Sequence, residues 1–204
     1  MKKKLFKLTE QRKHELKLAT VEYLRGLHSE INELEDALMA PGALSPRPRM
    51  SGMIILEPDS LVSEAHYLHT GLAILYTIDA KSSFMKIFYI WEERSIIVLY
   101  EEFKEKLPND DYFIMLIEDS ELVSITNFCM DGIYEKHTSA YLLTQKIINE
   151  QTSRRMMQTD ILLMESKSAR LSAFEQKFPN LKGRLTWDQK CAFIGVKKST
   201  LGIS

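Results

Sequence analysis

Lys190, Lys197, Lys198, Ser199 and Thr200 are clustered near the end of this sequence, around Gly195. Ammonium groups neutralise phosphates, and small hydroxyls donate to phosphate oxygens or to base edges. The segment that carries them, Thr186 to Ser204, reads TWDQKCAFIGVKKSTLGIS. Cys191-Ala192 puts small side chains where two helices would cross closely, and Phe193 and Ile194 supply core. Gly195 tolerates the left-handed backbone of a tight turn. Val196 re-enters the core, and Lys197 to Thr200 opens a second helix. Such a helix–turn–helix places its second helix in the DNA major groove, so these five residues are the expected DNA contacts. That second helix then meets Gly202, which costs ~1 kcal/mol in a helix interior, and it carries no Arg to read guanine. DNA binding is therefore expected to rest on phosphate electrostatics, or to have been lost.

Charge supports the first alternative. The chain of 204 residues has a net charge of −1, but Ser166 to the end carries +6 and the remainder −7. A basic module beside an acidic body is the footprint of a nucleic-acid-binding tail. Other combinations of reactive residues are weak. His66 and His69, with Glu64 nearby, are three apart; on a strand that spacing sends them to opposite faces, so no metal site is expected. No Gly-x-Ser-x-Gly elbow, phosphate loop or Gly-x-Gly-x-x-Gly occurs. The adjacent pairs Glu92-Glu93, Glu101-Glu102 and Asp110-Asp111 split across a surface rather than face one another. No enzyme and no cofactor is expected. Cys129 and Cys191 lack metal-ligand spacing, and free thiols fit a reducing cytoplasm. The start, MKKKLFKLTEQRKHELK, has no apolar signal-peptide core, and no apolar run approaches the ~18 residues of a membrane span.

These residues need elements to position them. Apolar residues recur at helical spacing from Leu5 to Ala40, with Gly26 as the expected break and Ser29, Asn32 and Glu33 opening a second helix. Pro46 and Pro48 keep the next stretch extended. Short strands are expected at Met53–Leu56, Leu72–Ile78, Phe84–Trp91, Ile96–Tyr100, Phe113–Ile117 and Leu122–Ile125, with turns between them, as in a sandwich, jelly roll or barrel. The aromatics Phe84, Phe88, Tyr89 and Trp91 are expected to fill its interior. The functional alternative is a pocket for an apolar or aromatic effector, with Phe88, Tyr100 and Phe113 as candidate lining. Tyr134 to Glu165 has a broad apolar stripe and no Gly or Pro, which predicts one long helix, buried within its subunit or packed on a partner copy. Ser166 opens a further helix, ended by Pro179.

The order of these elements resembles the CRP/FNR family of bacterial transcription regulators. Tyr67-Leu68-His69-Thr70-Gly71-Leu72 is similar to that family's strand-turn element, and Ile117-Glu118-Asp119-Ser120-Glu121-Leu122 to its strand pair after the ligand cassette. Ala169-Arg170-Leu171, Phe174, Phe178-Pro179 and Arg184 resemble its linker, and Cys191 to Val196 its turn. The resemblance implies an α+β chain: N-terminal helices with a jelly-roll sensor domain (1–133), a long dimerisation helix (134–165) and a short helix–turn–helix domain (166–204). It implies a homodimer joined through Leu143, Ile147, Met157 and Ile161, with DNA and an unknown small-molecule effector as partners. One departure bears on the effector. The relatives that bind cyclic nucleotides use a Gly-Glu turn and an Arg, falling here near Leu99-Tyr100 and Asn109 to Asp111. Val98 to Asp119 contains neither Gly nor Arg. The expected effector is therefore not a typical cyclic nucleotide, or there is none. The alternative reading is a ligand-sensing or protein-interaction module that has lost DNA binding.

Overall fold

The computed structural model describes residues 7–29 and 31–196. Lys197, Lys198, Ser199 and Thr200 lie outside the described residues. The chain divides into two compact units, 1–74 with 90–149, and 75–89 with 150–204.

In the first unit, α1 (Glu10–Leu27) begins at Thr9, whose side chain accepts from the Arg12 N–H, and buries Leu16, Thr20, Val21 and Leu24 along one face. Its Arg12 reaches Glu121 at 2.6 Å. The helix runs through Gly26, where a break was expected, and ends at His28 instead. α2 (Asn32–Met39) follows and buries Leu34 and Leu38.

Eight strands form two four-stranded sheets among the described residues. The first sheet contains β1 (Ser45–Arg49), β3 (Glu64–Thr70), β6 (Ser95–Ile97) and β8 (Ser120–Thr126) in the order β1-β8-β3-β6. The second contains β2 (Ile54–Leu56), β4 (Leu72–Ile78), β5 (Met85–Glu92) and β7 (Phe113–Leu116) in the order β2-β7-β4-β5. The expected α+β jelly-roll class is observed. β1, with sequence SPRPR, looks unlike a strand because proline has no N–H for the ladder; it is tolerated as the edge strand paired to β8.

The register sorts the first sheet into two faces. His66 pairs with Ser124 and Ile97, and Leu68 with Leu122, on one face. Tyr67 pairs with Val123 and Ile96, and Ala65 with Ile125, on the other. Tyr67 and Val123 then share a core with Leu16, Leu24, Leu34, Leu38, Ile133 and Leu143. The last two come from α4 (Asn127–Lys136) and α5 (Ser139–Leu162).

Two expected elements differ. The strand foreseen over Ile96–Tyr100 stops at Ile97, and Tyr100 opens α3 (Tyr100–Glu105), where Glu101 and Glu102 in the first turn suit the positive end of a helix. The single helix foreseen from Tyr134 is two helices. His137 takes an extended backbone while its N–H still bonds Ile133 O. The bend lets Tyr134 stack on Tyr141 at 4.5 Å and pair its hydroxyl with Thr144 at 2.8 Å. Tertiary packing, not a breaker residue, sets that boundary.

In the second unit, the segment 75–89 turns at Asp79, whose carboxylate accepts from the N–H groups of Lys81 and Ser82. Residues 150–162 of α5 are followed by α6 (Lys167–Lys177), capped by Ser166, a 3-10 turn at Pro179–Leu181, and α7 (Trp187–Phe193). Phe174, Phe178 and Phe193 pack ring to ring at 5.4–5.7 Å.

Gly71 joins β3 to β4 at φ +111°, and a Cβ there would collide with Ser120 Oγ. Gly71→Val is expected to lower unfolding free energy by about 2–4 kcal/mol in urea titrations, from backbone strain plus the clash.

Candidate functional site

The segment that follows β6 is where a phosphate-binding cassette would sit in the resembled family. Here α3 presents Glu101, Glu102 and Glu105, and its C-cap, Lys106, adopts a left-handed conformation at φ 55°. The loop after it is held by Asn109, which is fully buried. The Asn109 amide donates to Glu57 O (3.0 Å) and to Tyr112 O, and its carbonyl accepts from Tyr112 N–H (3.1 Å). Its backbone N–H bonds Ser60 O, and its carbonyl accepts from Asp59 N–H. Asn109 is thus a neutral clamp between two loops. The two cations nearby are paired with carboxylates: Lys104 with Glu105 at 3.2 Å and Lys106 with Asp131 at 2.6 Å. Asp110 and Asp111 are exposed beside them, so carboxylates outnumber free cations along this segment.

Between the outer face of the first sheet and the helices lies a cavity of about 90 Å3. Leu24 and Leu38 come from α1 and α2, Tyr67 and Val123 from the sheet, Phe103 from α3, and Leu143 from α5. A second hollow of about 70 Å3 lies against the inner face, lined by Ile97, Leu99 and Ile114 with His66. Burial, then Arg49 and Arg47, push the His66 imidazole down to about 4. It is neutral at pH 7, with Nδ1 paired to Ser124 Oγ at 2.8 Å.

Of the three residues expected to line an effector pocket, Tyr100 lines the larger cavity. Phe113 is half-buried on β7, outside the walls of both hollows, and Phe88 of β5 is 38% exposed. Periodicity alone could not show that α3 would fold over the outer face. His66 and His69 lie on opposite faces: His66 meets Ser124, while the His69 ring lies 6.1 Å from Tyr67. Among the described residues no group of three or more His, Cys, Asp or Glu could hold a metal ion, and no helix is long and apolar enough to cross a membrane. Cys129 and Cys191 form no disulfide.

In the second unit, α7 is the first helix of the expected helix–turn–helix. Thr186 and Gln189 form a reciprocal capping box at its start. At its end Ile194 N–H bonds Lys190 O, and Val196 N–H bonds Cys191 O, with Gly195 at φ +66° between them. This is a Schellman turn, which needs a residue free of left-handed strain at the Gly195 position. Arg170 of α6 fixes it from outside: Nε donates to Met164 O at 2.7 Å, and Nη1 to the carbonyls of Ile194 and Gly195 at 3.4 Å. A positive guanidinium suits the negative end of α7. Lys190 is half-buried on that helix.

One contact had no sequence signal. Gln158 of α5, 6% exposed, donates from Nε2 to Ile87 O at 2.7 Å and to Phe193 O at 3.1 Å. A single amide therefore ties β5 to the end of α7. Of the four residues expected at a dimer contact, Leu143 (7% exposed) and Ile161 (0%) are buried in their own units. Ile147 packs partly against the first unit's core, and Met157 is half-buried.

No protein-family model matches this sequence, and no curated protein is similar to it by sequence. Solved structures are similar in fold. A Eubacterium rectale protein assigned to the CRP/FNR family of transcriptional regulators superposes with a TM-score of 0.71 at 13% identity, covering 88% of this chain and 84% of that one. FixK2 from Bradyrhizobium japonicum gives 0.64 at 11% identity, covering 78% and 80%. The c-di-GMP responsive global regulator CLP of Xanthomonas campestris gives 0.65 at 10% identity, covering 91% and 88%. The fold of this chain is that of the CRP/FNR regulators.

Gln158→Leu keeps side-chain volume but leaves the carbonyls of Ile87 and Phe193 without their donor. It is expected to cost about 1–3 kcal/mol. Hydrogen exchange should show the loss as faster exchange in 75–89 and 186–196, with the core of β3 and β8 unchanged.

Proposed function

We propose that this protein is a DNA-binding transcriptional regulator of CRP/FNR type, acting as a homodimer, whose effector is not a typical cyclic nucleotide. The observation that carries the reading is the helix–turn built in the second unit. α7 is capped at both ends, its Gly195 turn is stapled by Arg170, and the segment that continues from it is basic. A turn so constrained suits a helix that must leave at a defined angle, which major-groove docking requires. In this reading Lys190 and the sequence neighbours Lys197, Lys198, Ser199 and Thr200 meet phosphates, and base readout is slight.

Dimerisation through α5 fits its exposed apolar residues better than its buried ones. Leu142 (55% exposed) and Met156 (64%), with Leu163 (77%) just past the helix, are spaced by multiples of seven. That is the spacing of a helix–helix seam. Leu143 and Ile161 serve their own cores, so the seam proposed here runs one or two residues to the side of them. A cytoplasmic location belongs to the same proposal.

The second reading, an interaction module that no longer reads DNA, is favoured by Gly202 and Ile203 where a recognition helix would need polar contacts. The two are separated by selecting genomic DNA fragments on purified protein at 50 and 200 mM salt and sequencing what is retained. A working regulator enriches partly palindromic sites at both salts, and Gly195→Val abolishes the enrichment. Uniform retention that collapses by 10-fold or more at the higher salt leaves only phosphate electrostatics and favours the second reading.

A further inference from the structure

We infer that the cavity between the outer face of the first sheet and helices α1 to α5 is a binding site for a small, neutral, apolar molecule. Its walls are almost entirely carbon, and among the described residues no charged side chain lines it. Three hydroxyls of the wall, those of Thr20, Thr144 and Tyr134, are already used. Thr20 Oγ1 donates to Leu16 O at 2.8 Å, and Thr144 Oγ1 donates to Ala140 O at 2.9 Å while pairing with Tyr134 Oη. His66, whose backbone borders this space, turns its ring to the sheet's inner face, where Nδ1 meets Ser124. A water needs two to four polar partners, and a wall this poor in them favours an apolar guest over water. An anion such as a cyclic phosphate would be desolvated there without a counter-charge.

The size sets the class of guest. Apolar cavities of roughly 150 Å3 take up benzene or xenon. About 90 Å3 admits a single compact group: xenon, a small ring with slight relaxation, or a short hydrocarbon chain. A guest would touch the first sheet, Phe103 of α3, Met130 and Ile133 of α4, and Leu143 of α5 at once. It would thereby fix the mutual positions of the elements that meet at the α4–α5 bend. That it acts as the effector rests on the regulator reading above. That it binds does not.

Methyl NMR of the full chain, with xenon and benzene as probes, tests the site. Saturable shifts are expected at Leu34, Leu38, Met130, Leu143 and Ile147, with Leu68 and Leu122 on the sheet's inner face unmoved. Ala140→Leu, which fills the cavity from α5, should weaken both probes at least 10-fold. Should that variant fail to fold, Ile147→Phe fills the same space from two turns further along α5, and the wild-type shift map stands without either. Absence of saturable shifts at those methyls overturns the proposal. So do shifts confined to Leu68, Leu122 and Ile97, or to the exposed Leu142 and Met156. The readout involves no DNA, so its failure leaves the regulator reading standing, and failure to select DNA leaves the cavity result intact.

Discussion

The first sheet is apolar on both faces, and the rest of the first unit follows from having to cover both. On a strand, alternate residues point to opposite sides. In β3 the alternation gives His66 and Leu68 to the jelly-roll interior and Ala65 and Tyr67 to the outside. The second sheet covers the interior. The outside, carrying Tyr67, Val123, Ile96 and Ile125, would be exposed without α1, α2, α4 and α5. Each of these helices brings apolar side chains to one surface, and four helices meeting on a sheet do not close perfectly. The cavity is the space left over. The bend at His137 and the Tyr134–Thr144 pair are the local adjustments that let α5 lie on that surface.

The second unit combines an apolar core with a few polar groups that set its orientation. Aromatic packing of Phe174, Phe178 and Phe193 provides the apolar centre. Orientation comes from directed hydrogen bonds. Arg170 caps the end of α7, and Gln158 links α7 to β5. Buried polar contacts of this kind contribute little net stability, but they penalise alternative packings because an unpaired carbonyl or amide is costly. A helix that must present charges to a duplex benefits from that directional hold. The same hold would let a change at 75–89 reach α7 through one amide.

Much of this was legible in the sequence because the relevant signals are local. Thr186 and Gln189 three residues apart announce a capped helix, and Gly195 after Ala192-Phe193-Ile194 announces its end. Ser166 and Pro179 bracket α6 as expected. What was not legible depends on partners distant in sequence. Pro46 and Pro48 hid β1, since only an edge position beside β8 makes a proline strand possible. Tyr100 read as the end of a strand, because nothing in YEEFKE shows that the chain folds back over the outer face. Leu143 and Leu142 are indistinguishable by type, and only packing shows that the first is core and the second exposed. Asn109 gave no sign that it is a buried clamp between two loops.

That clamp bears on the effector proposed above: α3 carries Glu101, Glu102 and Glu105, and the loop after it is held by a buried amide. A phosphate needs backbone N–H groups in a permissive turn and a guanidinium fork, and Val98 to Asp119 supplies neither glycine nor arginine. The direct measurement is calorimetric titration of the purified protein with cAMP and with cGMP. The account predicts no saturable heat up to millimolar nucleotide. Saturable binding of either at micromolar concentration would contradict it, and would mean that the cassette holds a phosphate by contacts other than those described.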